Sequence, residues 1–252
     1  MKKYLGNKIR TKLIFTAVWV FIWYCVAEGI DNEILLPSPL NVVNCVMQIV
    51  TTNEFVNVLF SSLERVVLSF IVSLVLSIII AAVSSRYNIF NDFLSPIILI
   101  LKSIPTMAFV IIILIWLDKN SAPFLIGVMI SFPIFYDTTL NAIKSVNKDL
   151  INMADIYEVG AVKKIIYIYI PSVSFAIQGI LSSTLSLILK VVVAGEIYGQ
   201  PKYGIGASLQ LEKMYLNTAG IFAWIVIIAL ISIVFTFLSN IVERIVYRWK
   251  RE

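Results

Sequence analysis

The sequence predicts an all-α polytopic membrane protein with about six transmembrane helices. Hydrophobic residues make up 60% of the 252 and charged residues 14%, whereas a soluble domain is about half apolar and a quarter charged. The apolar residues also lie in long uncharged runs, Val66 to Val83, Ile165 to Leu189 and Met214 to Val242. Runs of roughly 18 or more such residues are long enough to cross a bilayer. Finally, the net charge of +5 is concentrated at span ends, where basic residues set orientation, so it marks topology and not nucleic-acid binding.

In chain order, Lys2, Lys3, Lys8, Arg10 and Lys12 precede a first span at about Leu13–Ala27. A basic start and an apolar run also describe a secretory signal, but no small-x-small cleavage site follows, so the run is retained as a span. The loop from Glu28 to Glu64 contains no Lys or Arg. Within it Ser38 is an N-cap and Pro39 a first helical residue. Val42, Val43, Cys45, Val46, Ile49 and Val50 then form an apolar face, either on the outer membrane surface or packed on the bundle.

The second span covers about Val66–Val83. The third, about Phe93–Leu117, is interrupted by Lys102. The fourth, Ala122–Tyr136 extending towards Asn141, contains Pro133, which membrane helices tolerate. A polar loop leads to a fifth span, Ser172–Ala194, and the sixth is Thr218–Val242.

An even number of spans places both basic termini on one side, the cytoplasm by the positive-inside bias. Fourteen of the 20 basic residues then share that side: the five above, Arg86, Lys144, Lys148, Lys163, Lys164, Arg244, Arg248, Lys250 and Arg251. There is no internal repeat and no linker long enough for a second domain.

Several chemistries are excluded by composition. The chain has no histidine, which removes histidine triads, the usual zinc sites and histidine proton relays. Cys25 and Cys45 lack metal-type spacing and read as apolar thiols. No Gly-Lys dipeptide occurs, hence no phosphate-cradling P-loop. No cofactor or metal is expected, and the chain is not expected to be a catalyst.

A set of stretches in order resembles the permeases of the nitrate/sulfonate/taurine/bicarbonate importers, within the binding-protein-dependent permease superfamily of ATP-binding-cassette (ABC) transporters. They are Leu36-Pro-Ser-Pro39, Ser61-Ser-Leu-Glu-Arg-Val-Val67, Leu94-Ser-Pro-Ile97, Leu101-Lys-Ser-Ile-Pro-Thr-Met-Ala108, and Val193-Ala-Gly-Glu-Ile-Tyr-Gly199 with Gly204 and Gly206. The resemblance implies a type I ABC importer permease fold. It also implies a single permease domain over 1–252, with a core at 58–248 and an ATPase-docking loop at about 148–171. The implied partners are an ABC ATPase subunit, an extracytoplasmic substrate-binding protein, a second copy of the chain and membrane lipid, with no nucleic acid. The implied cargo is a small anionic solute.

The superfamily's docking pattern is Glu-Ala-Ala, three residues, Gly, nine residues, then Ile-x-Leu-Pro. Two registers fit the segment Asn152 to Pro171. Anchored on Pro171, Glu158 takes the Gly position; anchored on Gly160, Ala154-Asp155-Ile156 replaces Glu-Ala-Ala. In either case the docking residues are Ala154, Asp155, Glu158, Val159, Gly160, Ala161 and Pro171. Independently of the family, Asn152 to Val162 reads as a short helix ended by Gly160, with Pro171 marking the start of the fifth span. Ala154, Gly160 and Ala161 allow close approach, and Asp155 and Glu158 offer charge.

Charged residues inside spans are functional candidates. Lys102 lies roughly 13 Å along its helix from Phe93, either lining an anion's path or reaching to the interface. Beside it, Pro105 and Thr106 complete the resembling stretch. Asp137 precedes Lys144 by two turns and faces inner water or pairs with a lysine. Lys190 and Glu196 bracket the far end of the fifth span, and their spacing of six does not put them on one face. Glu196 matches the family's acidic position. Gly195 and Gly199 fit a helix-packing pattern or a turn. Two other classes compete. A gradient-driven secondary transporter would show repeats and broken helices, and a membrane enzyme would need a convergent polar constellation.

Overall fold

The computed structural model describes residues 2–246, so Arg248, Lys250 and Arg251 of the C-terminal basic cluster lie outside the described residues. Every regular element among them is helical. The helices are α1 (Lys2–Ile30), α2 (Pro39–Thr51), α3 (Phe55–Arg86), α4 (Asn88–Ser103), α5 (Thr106–Trp116) and α6 (Ala122–Lys144). They continue with α7 (Lys148–Ile156), α8 (Ala161–Lys164), a π turn (Ile165–Tyr169), α9 (Ile170–Gly199), α10 (Ile205–Met214) and α11 (Thr218–Val246). Four stretches are long and apolar enough to cross a membrane: Phe55–Arg86, Ala122–Lys144, Ala161–Gly199 and Thr218–Arg244. The pair α4–α5 makes a fifth if it is one span, and the apolar part of α1, Ile14–Ile30, is a shorter apolar stretch, at the short end of the spanning range.

The third span is not the single rod that Phe93–Leu117 implied. Between Ser103 and Thr106 the axis turns by 103°. Pro105 has no N–H to continue α4, and Ile104 before it is forced to extended backbone (φ −72°, ψ 130°). By contrast Pro133 lies inside α6 without ending it.

The chain divides into two compact units. One consists of residues up to 56 with 208–229. Ser38 caps α2 as expected, accepting the Asn41 N–H at 3.3 Å, and Pro39 is the first helical residue. Val42 is buried while Leu40, Val43 and Met47 are exposed, so the helix turns in only part of its apolar surface. In this unit Trp23 packs on Phe222 and Phe55 on Trp224, with ring centroids 5.7 and 6.2 Å apart.

The other unit contains 57–207 and the chain from 230. Its α3 buries one face made of Ser62, Val66, Ser69, Ser73, Ser77, Ala81 and Ser84, a helical spacing of three or four throughout. The hydroxyls reach α6: Ser69 donates to Phe124 O at 2.8 Å, Ser77 to Phe132 O at 2.9 Å, and Ser131 to Ser73 at 2.8 Å. In lipid, helices gain little from apolar burial and associate through close packing and such bonds, worth about 0.6 kcal/mol each. Gly127 makes the approach possible, because a Cβ there would stand 2.5 Å from Ser69 Oγ. Phe109, Val110 and Ile113 of α5, Ile126 of α6 and Val191 of α9 form the apolar core beside it. Gly195 faces Pro123 and Ile126 of α6, so it serves helix packing, and α9 runs on to Gly199 before turning.

Candidate functional site

Three polar constellations in the larger unit stand out against its apolar background. The first is the 148–171 segment. Asn147 caps α7 by accepting the Asp149 N–H at 2.8 Å. The helix closes through two bonds, Val159 N–H to Ala154 O at 2.8 Å and Glu158 N–H to Asp155 O at 3.0 Å. That pair is the Schellman arrangement, which needs a left-handed residue just past the helix end. Glu158 supplies it, with φ 52°.

The sequence assigned that terminating role to Gly160 instead. In the structure Gly160 has φ −58° and opens α8. The helix end is set by which carbonyl the turn closes on, and it closes on the buried Ala154. Glu158 therefore bears a left-handed conformation costing an L-residue about 1–2 kcal/mol.

Asp155 is exposed and pairs with Lys164, which links α7 to α8. Ile156, Tyr157 and Val162 are exposed apolar side chains at the tip, and Ala161 and Gly160 beside them are exposed too. Pro171 stands in the first turn of α9, but the helix does not begin there, since the helical stretch is continuous from Ala161 to Gly199. It follows a π turn in which Ile170 N–H bonds Ile165 O. The proline withholds an N–H and crowds the preceding turn, and a wider turn absorbs that mismatch. The tip, linked across its turn by Asp155–Lys164, thus joins a span through the continuous 161–199 helix.

The second constellation joins two candidates from different helices. Lys102, at the end of α4, forms an ion pair with Asp137 of α6. Both side chains are partly exposed, 42% and 33%, so the pair is open to its surroundings. They line a cavity of about 180 Å³ with Asn91, Ser95, Ile98 and Tyr136. Pro105 and Thr106 make the helix break just beyond Lys102.

In the third, Glu196 is fully buried and its carboxylate is saturated. Arg65 Nη1 donates to it at 2.7 Å, the Ser62 hydroxyl at 2.8 Å and the Gly206 N–H at 2.9 Å. Arg65 also donates to Tyr203 O at 3.0 Å and Asn120 O at 3.1 Å. The Asn120 turn is itself fixed by Asp118, whose carboxyl is held below the ordinary range, first by the Ser121 hydroxyl and then by the Asn120 N–H. Gly206 is obligatory, because a Cβ there would lie 2.2 Å from Val193 O. Glu196 therefore ties α3, the end of α9 and the 200–206 turn together, and Lys190 stays exposed.

Sequence reasoning passed over Arg65 and Ser62 as functional residues. A signal was present: Arg65 and Glu196 are opposite charges at the ends of two antiparallel spans, at matching depth.

Residues 73–252 match the family described as binding-protein-dependent transport system inner membrane component. Among relatives, a protein of Bacillus subtilis (strain 168) named for aliphatic sulfonates transport is 23% identical over 94% of this chain and 87% of its own length. The nitrate import permease protein of Synechococcus elongatus is 28% identical over 73% of this chain and 68% of its own. A riboflavin transport system permease protein of Chloroflexus aurantiacus is 27% identical over 62% and 59%. The family match begins inside α3 and takes in all of the 148–171 segment, the broken α4–α5 pair and Glu196. This chain belongs to the binding-protein-dependent transport system inner membrane component family of ABC transporter permeases.

Proposed function

We propose that the chain is the membrane subunit of an ABC importer that passes a small anionic solute. In this role it works with a separate ATPase and an extracytoplasmic binding protein, as a homodimer of one permease domain with both termini in the cytoplasm. The observation that carries it is the 148–171 tip: a short helix exposing Ile156, with Tyr157 beside it, linked by Asp155–Lys164 to the helical stretch that runs from Ala161 into a span. A force-transmitting handle needs those properties. Glu158 in the left-handed position favours the register anchored on Pro171, which places Ala154 at the second alanine of the superfamily pattern. ATP-driven closure of the ATPases would then rock the spans through this joint.

The broken α4–α5 pair is the one feature that favours a gradient-driven secondary transporter. The test is uptake into proteoliposomes holding the chain, its ATPase and the binding protein. ATP dependence without an ion gradient is expected; uptake driven by a gradient without ATP would overturn the proposal.

A further inference from the structure

We propose that Asp137 is an exchangeable counter-ion, resident on Lys102 until a compact monovalent oxyanion displaces it, so that the pair selects the cargo. This deepens the importer function above and rests on it. The first support is the contrast between two ion pairs that join membrane-spanning helices in the same unit. Glu196 is fully buried and its oxygens are filled by Arg65, Ser62 and Gly206, which is how a permanent tie is built. Among the described residues Lys102 and Asp137 are joined only to each other, and they remain partly exposed on a cavity wall. Such a pair opens without unpacking a core.

Its position agrees. Lys102 stands just before the 103° break in α4–α5. At membrane depth, irregular backbone is tolerated where it is buried in protein or lines a water-filled cavity. Asn91 and Ser95 lie on the Lys102 face of α4, eleven and seven residues before it, and line the same cavity.

Chemistry then fixes the class of ligand. A lysine ammonium has three donors and no acceptor, so an oxyanion with several oxygens competes with a carboxylate for it on equal terms. Asp137 stays tethered when it is displaced, so the anion-bound site carries one net negative charge, which the partial exposure of both side chains leaves open to screening. A cation finds Asp137 already neutralised. The cavity of about 180 Å³ is below the roughly 300–1,000 Å³ of pockets for drug-sized ligands, which suits an ion of sulfonate or nitrate size.

The experiment uses the full chain in lipid nanodiscs, with methanesulfonate as probe and dimethyl sulfone as its uncharged counterpart. Calorimetric titration should show methanesulfonate binding at least tenfold tighter to Asp137→Asn, from which the competitor is gone, and no binding to Lys102→Gln or to the double variant. Unchanged or weaker binding to Asp137→Asn, or binding that survives Lys102→Gln, overturns the proposal. On the unmodified chain, methanesulfonate should shift a carboxylate infrared band that dimethyl sulfone leaves in place, so the idea is testable even if a variant fails to fold. Absence of that shift also overturns it. Binding-protein-stimulated ATP hydrolysis by the assembled transporter is measured alongside. If it persists while these anion responses are missing, the anion site alone has failed and the importer function stands.

Discussion

Arg65→Met would remove the only cation from the tie that holds α3 to the end of α9. Three donated bonds disappear, to Glu196 at 2.7 Å, to Tyr203 O at 3.0 Å and to Asn120 O at 3.1 Å. Glu196, fully buried, keeps only Ser62 and the Gly206 N–H. Breaking a buried pair from one side typically costs about 3–5 kcal/mol, because the remaining charge is stranded. At about 1.4 kcal/mol per tenfold change, the folded-to-unfolded ratio should fall by about two to three and a half orders of magnitude. Equilibrium unfolding in mixed micelles, followed by tryptophan fluorescence, measures this. In a Glu196→Gln background no charge is stranded, so Arg65→Met should cost less there by a coupling of about 1–3 kcal/mol. A loss under about 1 kcal/mol, or the same loss in both backgrounds, would refute the reasoning and leave the pair without a net role in stability.

Other outcomes test separate elements. Glu158→Gly should stabilise the chain by about 1 kcal/mol by relieving the left-handed strain, whereas Glu158→Val should destabilise it; thermal unfolding of both variants checks the sign. Gly206→Ala should lower stability by about 1–3 kcal/mol or more, since the methyl meets backbone and not a movable side chain, and a monodisperse, wild-type-stable variant would contradict the close approach. A membrane-impermeant thiol reagent applied to intact cells should label Asn53→Cys and spare Asn152→Cys, and the reverse pattern would invert the topology.

Much of the fold was legible because a bilayer imposes it: spans must be helical, long and apolar, and the runs at Val66, Ile165 and Met214 met that rule directly. What the sequence left unread depended on bonds between distant residues. Arg65 sat in view beside an uncharged run, but its meaning required Glu196 to be brought beside it by folding. Asp137 was expected to face inner water or pair with a lysine, and only the packing of α4 against α6 made that lysine Lys102. The break at Pro105 was obscured because proline is common in membrane helices, and Pro133 indeed leaves its helix intact. Gly160 misled for a local reason: glycine is the usual helix terminator, yet the turn closing on Ala154 places that demand on Glu158 two residues earlier.

The most direct measurement of the docking account is co-purification of the ATPase with Ile156→Glu and Gly160→Trp variants of the tip, in lipid. Ile156 is exposed and Gly160 has open space around it, so neither change should disturb the packed unit. Both should leave the chain monodisperse while the ATPase is lost or its binding-protein-stimulated hydrolysis abolished. Full retention of the ATPase with normal stimulation in both variants would contradict the account, and the 148–171 segment would then be a plain connector between spans.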